Sequence, residues 1–328
     1  MKKSDIFAFL FVLVLFVVIA SILLQWVEAI SAWRATYGHG KHWALHHHHH
    51  PNGHGKGSDA PHSENHDKDL PKPPVAWCTT AVPPSSLSEG TFNWALSKTI
   101  PKGRLQYMTS PDVYGYVSLP LKAAHGPVYC LDAQGIFLQV PRVPCKDFGK
   151  SGCRARAEFE SDSFSVTQLQ AWQYDATFIV DAFPALSDYA DNERWKNSIV
   201  VFQLFSSKGA FAELYWTVDG SDTSQAMLRL KWPDIDGQEN HVLINTTPKL
   251  GLKHSFSVQA SFQKSGEQTT ATVQVNAGTT TSSVSSLTLE SQDKYYFKSG
   301  LYLQQDGKRD ARPDVARVLI KKLQLQRT

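Results

Sequence analysis

On one face of YYFKSGLYLQ, residues 295–304, two tyrosines, a lysine and a glutamine gather around a glycine. With the two-residue period of a β-strand, Phe297, Ser299, Leu301 and Leu303 share one face. Tyr296, Lys298, Gly300, Tyr302 and Gln304 share the other. The first face suits a core. The second offers phenols, an ammonium and an amide, with Gly300 leaving room for a substrate to approach the backbone. A phenol beside cations can move protons, and an ammonium can hold an anion.

Two further segments show the same habit. In CRARAEFES (153–161), Ala155, Ala157 and Phe159 alternate with Arg154, Arg156, Glu158 and Glu160. In VVFQLFSS (200–207), Phe202 and Leu204 lie on one face, and Val201, Gln203 and Phe205 on the other. If the three strands are neighbours, one surface carries Arg156, Gln203, Lys298, Tyr302 and Gln304. An arginine and a glutamine can clamp a carboxylate. The bland alternative is a charged, solvated sheet face.

The elements that must position these groups are strands. IFLQV (136–140), FIVDAF (178–183), SIVVFQLF (198–205), AELYWTV (212–218), MLRLKW (227–232), HVLIN (241–245), HSFSVQASF (254–262), TATVQVN (270–276) and VARVLIKKLQL (315–325) all qualify. They are short, rich in β-branched and aromatic residues, and bounded by turn formers. Only SVTQLQAW (165–172) has a brief helical period. The pattern predicts an all-β fold, a large antiparallel sandwich over 88–328.

The N-terminal part differs in kind. Lys2 and Lys3 precede Ile6–Leu24, an apolar run of bilayer-spanning length. It reads as a signal-anchor transmembrane helix within 1–34, with a cleaved signal as the alternative. Either reading places the body outside the cytosol, membrane-anchored or secreted. Residues 35–87 read as a disordered His-, Pro- and Gly-rich linker. The five consecutive histidines, His46 to His50, could bind divalent metal loosely. Cys78, Cys130, Cys145 and Cys153 form no C-x-x-C pair, which argues against zinc and for disulfides, with three pairings open. A net charge of +3 with 19% charged residues carries no nucleic-acid signal. Asn245-Thr246-Thr247 fits a glycosylation sequon, and Trp195 is a sugar-stacking candidate or a core residue.

YFKSGLYLQ (296–304) resembles the YFKAGxYxQ signature of the family-7 polysaccharide lyases, alginate lyases with a β-jelly-roll fold. RAEF (156–159) and QLF (203–205) resemble that family's R-S/T-E-L and Q-I/V-H signatures, in the right order. FNWALSKTIPKG (92–103) is similar to its opening segment. KLGLKHSFSVQASF, followed by TATVQVNAG, is similar to its late hairpin. The resemblance spans about residues 90–328 and implies a concanavalin A-like jelly roll of two antiparallel sheets.

It also implies roles. Arg156 and Gln203 would neutralise a uronate carboxylate, Tyr302 would protonate the leaving O4, and Lys298 and Gln304 would be subsite neighbours. Glu158 and Phe205 join them as substrate contacts. The partner would be an anionic polysaccharide, and β-elimination needs no metal or cofactor. Three positions depart from the signatures. Ala157 stands for the serine or threonine, Glu160 for an arginine, and Phe205 for the histidine that helps to hold the carboxylate and can act as base. His125, His241 and His254 are placed in the cleft by no motif.

Stereochemistry gives the loss of that histidine a consequence. In D-mannuronate and D-glucuronate, H5 and O4 lie on one face of the ring, so one tyrosine can take and return the proton. In L-guluronate they lie on opposite faces and a second group is needed. The sequence therefore predicts a lyase using Tyr302 alone on mannuronate- or glucuronate-type links. The alternative is a catalytically impaired polyuronate-binding module on a membrane tether. A glycoside hydrolase would need two flanking carboxylates; Glu158 and Glu160, roughly 6–7 Å apart along a strand, are the pair available.

Overall fold

The computed structural model describes residues 78–327 apart from 97–103, 111–112, 119–120, 127, 142–154, 187–195, 219–221, 234–238, 245, 247–248, 292 and 306–314. The apolar run at 6–24, the histidine tract, Cys145, Cys153, Trp195 and Asn245 lie outside the described residues. Among the described residues no helix is long and apolar enough to cross a membrane. All of them belong to one compact unit, 64–328.

Period-two alternation builds two antiparallel sheets. The first runs β11 (Glu239–Ile244), β10 (Ala226–Pro233), β9 (Gly209–Val218), β8 (Ser198–Ser206), β15 (Lys294–Leu303), β5 (Arg156–Glu160), β1 (Arg104–Ser110) and β2 (Val113–Ser118). The short β6 (Phe164–Ser165) also pairs with β15. The second runs β14 (Thr280–Leu289), β13 (Gln268–Ala277), β12 (Ser255–Ser265), β7 (Trp172–Ala182), β16 (Val315–Arg327), β4 (Gly135–Pro141) and β3 (Tyr129–Asp132). The jelly-roll sandwich is the expected one. Every strand named from the sequence is present, while β1, β2, β3, β6 and β14 add to them.

The core lies between the sheets. Phe297 of the opening motif is fully buried, stacked 5.3 Å from Tyr174 and within 6.4 Å of Trp94, Phe202 and Phe164. Truncating such an aromatic to alanine costs about 3–5 kcal/mol. Trp94 comes from a helix, Glu89–Leu96, that the strand-dominated reading did not foresee. This helix abuts β16, where Asn93 accepts a hydrogen bond from the Leu325 backbone N–H at 2.9 Å. The brief helical period at 165–172 becomes one turn, Val166–Leu169, closed by a Ser165–Gln168 capping box.

The described chain starts inside the stretch read as linker. Cys78 is bridged to Cys130 on β3, Val82 donates its N–H to the Leu131 carbonyl at 2.8 Å, and Leu87 is buried in the core. In the chain-entropy account, closing a loop between residues 52 apart is worth about 4 kcal/mol.

One expectation about β8 is corrected. The register against β9 shifts between Val200 and Phe202, so Val201 and Phe202 both join the core. A bulge inserts a residue and breaks strict alternation. Val201 is therefore not part of the polar face, whereas Gln203 and Phe205 remain on it.

Candidate active site

The three motif strands lie side by side in the order β8, β15, β5. Because β15 pairs with both neighbours, Lys298 lies across from Gln203 on one side and Glu160 on the other. Tyr302 lies across from Arg156, and Gly300 from Glu158. The backbone register thus gathers the residues that the sequence could only propose as companions. Their opposite faces, with Ala157, Phe159, Phe202, Leu204, Phe297 and Leu301, are sealed in the core.

Arg156 and Tyr302 stack on one another. The guanidinium carbon lies 3.9 Å from the centre of the phenol ring, a cation–π stack that positions both groups. Lys298 is almost fully buried. Its ammonium donates to Gln106 Oε1 at 2.8 Å and pairs with Glu160 at 3.2 Å. It also lies 5.0 Å from the Phe205 ring centre. Phe205 itself stacks on Tyr296 at 5.3 Å. Gln304 is buried, its side chain turned to the Tyr302 carbonyl at 3.4 Å.

Glu158 lies across from Gly300, two residues along β5 from Arg156. It has no exposed surface, and neither carboxyl oxygen accepts a hydrogen bond among the described residues. Arg156 Nη1 is 3.7 Å from one of those oxygens. Burial pushes the Glu158 carboxyl above its ordinary range. The charges of Arg156 and Lys298 oppose that shift, while Glu213 and Glu160 add to it. As a hydrolase pair Glu158 and Glu160 are poorly placed, since Glu160 is tied to Lys298 and Glu158 is sealed off.

Gly300 has a different job from the one expected of it. Its φ is +149°, and a Cβ there would meet the Ala157 carbonyl oxygen at 2.5 Å and Leu138 Cδ1 at 2.8 Å. The missing side chain makes room for the sandwich, not for a substrate.

Sequence reasoning missed Gln106 on β1, in a segment not read as a strand, and a cluster on β9. Glu213, directly across from Gln203, accepts the Gln203 Nε2 hydrogen bond at 2.8 Å and the Tyr215 hydroxyl at 2.7 Å. Lys231 stands 3.7 Å from the same carboxylate. Burial holds the Tyr215 phenol far above its ordinary range, with the Glu213 charge adding to the shift. Alternation of Glu213 and Tyr215 in AELYWTV was the available signal.

The family model described as alginate lyase matches residues 93–327. The chain belongs to the alginate lyase family. The resemblance carried by the three motifs is thereby borne out over nearly the whole range expected of it. The alginate lyase of Klebsiella pneumoniae is similar at 15% identity and a TM-score of 0.53, covering 75% of this chain and 99% of that one. The alginate lyase of Pseudomonas aeruginosa is similar at 16% identity and a TM-score of 0.52, covering 69% and 98%. An exolytic family-7 alginate lyase of Zobellia galactanivorans is similar at 10% identity and a TM-score of 0.53, covering 73% and 97%. At these identities the likeness is one of fold. No curated protein matches the chain in sequence. Among the described residues no three His, Cys, Asp or Glu side chains cluster to hold a metal ion.

Proposed function

We propose that this domain is a polysaccharide lyase that cleaves alginate or a related polyuronate of the mannuronate or glucuronate type. Membership of the alginate lyase family supports the class of reaction. The observation that carries the finer reading is the stack of Arg156 on Tyr302. It sets a cation able to take a carboxylate beside a phenol on one sheet face.

In this reading Arg156 takes the uronate carboxylate, helped by the second N–H of the Gln203 amide. Neutralising that carboxylate acidifies the C5 proton. Tyr302 removes the proton, the electron pair of the C5–H bond becomes the C4–C5 double bond, and the C4–O4 bond breaks. The departing O4 takes a proton from the same phenol. Phe205 leaves no imidazole to serve as a base on the opposite face of the ring, so guluronate links react poorly. Lys298 and Gln304 border the neighbouring sugar. The apolar run at 6–24 would anchor the domain outside the cytosol.

One observation favours a second reading, a polyuronate-binding module without catalysis. The histidine position is occupied by the Phe205–Tyr296 stack, which suits packing against a sugar ring. The test is to incubate the full-length chain with polymannuronate, polyguluronate and glucuronan and follow ultraviolet absorbance of the unsaturated product. Product from mannuronate or glucuronate polymers alone is the expected result. Product mainly from polyguluronate would refute the single-tyrosine mechanism, and tight binding without product would favour the module.

A further inference from the structure

Gln203 is held by its amide nitrogen. A primary amide offers donors at one end and an acceptor at the other, and turning it over exchanges them. At position 203 the choice is forced by the facing carboxylate. Glu213 Oε1 takes the Gln203 Nε2 hydrogen at 2.8 Å, and an ionised carboxylate can only accept. Glu213 is itself locked, its other oxygen receiving the Tyr215 hydroxyl at 2.7 Å with Lys231 3.7 Å away. Tyr215 remains a donor because burial disfavours its ionised form.

The consequence falls on the other end of the amide. Gln203 Oε1 is buried and accepts no hydrogen bond among the described residues. The cation across from it on β15, Lys298, gives its ammonium to Gln106 and Glu160 instead. A buried acceptor without a donor costs free energy, and the cost is recovered when a ligand brings the donor. A carboxylate has none to bring. A sugar hydroxyl does.

We propose that Glu213 is a positioning residue that fixes Gln203 with its carbonyl oxygen ready to accept a free ring hydroxyl of the polyuronate, making this chain selective against polymers esterified at that hydroxyl. The proposal rests on the polyuronate reading above and adds a second demand on the substrate. Arg156 meets the carboxylate, and Gln203 Oε1 meets a hydroxyl. Acetylation removes that proton and leaves the acceptor unpaired. Sites built to hydrogen-bond a hydroxyl discriminate strongly against analogues that lack it.

The test uses the full-length chain carrying Tyr302→Phe, so that binding is read without turnover. The probes are mannuronate oligomers, with free hydroxyls or chemically O-acetylated. The free oligomer is expected to bind about 10–100-fold more tightly. Adding Glu213→Gln, where an amide donates as well as accepts, is expected to reduce that ratio about tenfold by weakening the free oligomer. A purely structural role for Glu213 would weaken both oligomers alike. Equal binding of the two oligomers, or a ratio that Glu213→Gln leaves unchanged, overturns the proposal while leaving the polyuronate reading intact. Binding of neither oligomer overturns both. If Glu213→Gln does not fold, Glu213→Asp serves, since the shorter side chain withdraws the carboxylate from Gln203 Nε2; an unchanged ratio there also overturns the proposal.

Discussion

Arg156 and Tyr302 lie across from each other on β5 and β15, with the guanidinium 3.9 Å from the phenol ring centre. The pair sets distance and orientation together. A planar guanidinium can lie flat on the ring while its N–H edge remains directed outward to a carboxylate. An ammonium would supply the charge without the plane.

Arg156→Lys is therefore not conservative here. Loss of the fork and of the stack is expected to lower kcat/KM on polymannuronate about 10–100-fold, mainly through KM. Steady-state kinetics by product absorbance check this. A variant within twofold of the parent would show that the plane is irrelevant.

Tyr302→Phe retains the ring and its stack on Arg156 but loses the hydroxyl that the proposed mechanism uses to carry protons. The expected fall in kcat is at least about 10²–10⁴-fold, the range for a single acid–base group, with oligomer binding preserved. Measuring kcat and Kd separately decides the matter. Retained turnover would remove Tyr302 from the mechanism.

In the proposed mechanism, Phe205→His would supply a second base in addition to Tyr302. Cleavage of polyguluronate is expected to rise about 10²-fold over the parent. A small loss of stability should accompany it, since the stack on Tyr296 is worth about 0.5–1.5 kcal/mol. Comparing product formation on the two homopolymers tests it, and no gain on guluronate would mean that the cleft admits only one ring face.

Glu158 makes stability depend on pH. Its carboxyl is raised in the folded state by burial, so between the ordinary carboxylate range and the raised value the folded protein holds a proton that the unfolded chain releases. Stability therefore falls as pH rises through that window, and the penalty is fully present above it. Glu158→Gln removes the penalty. The melting temperature is expected to rise by about 2–4 °C at pH 8, the shift that ~1 kcal/mol produces in a domain of this size, and to change little at pH 4. Thermal melts at both pH values test this; an equal shift at both would assign the effect to packing.

Gly300→Ala places a Cβ 2.5 Å from the Ala157 carbonyl oxygen at a backbone φ of +149°. The expected cost is about 2–4 kcal/mol, read from the midpoint of urea unfolding. An unperturbed midpoint would show that the strand can relax around the methyl group.

Much of this molecule was legible in the sequence because period two is a local property. The two faces of YYFKSGLYLQ, and the outward Arg156, Glu158, Glu160, Gln203 and Phe205, follow from alternation alone, as do most of the strands. Three motifs in order were enough to point to the family and the jelly roll. What the sequence could not supply was which strands are neighbours and in what register. Those depend on contacts between residues far apart in the chain. Pairing on β15 decided that Lys298 faces both Gln203 and Glu160, and that Tyr302 receives Arg156. The shift at Val201 arose from pairing with β9, which no period within β8 records. The demand for glycine at 300 comes from Ala157 and Leu138, distant in sequence. The lock of Glu213 on Gln203 is likewise tertiary: only the β8–β9 register made one the acceptor for the other.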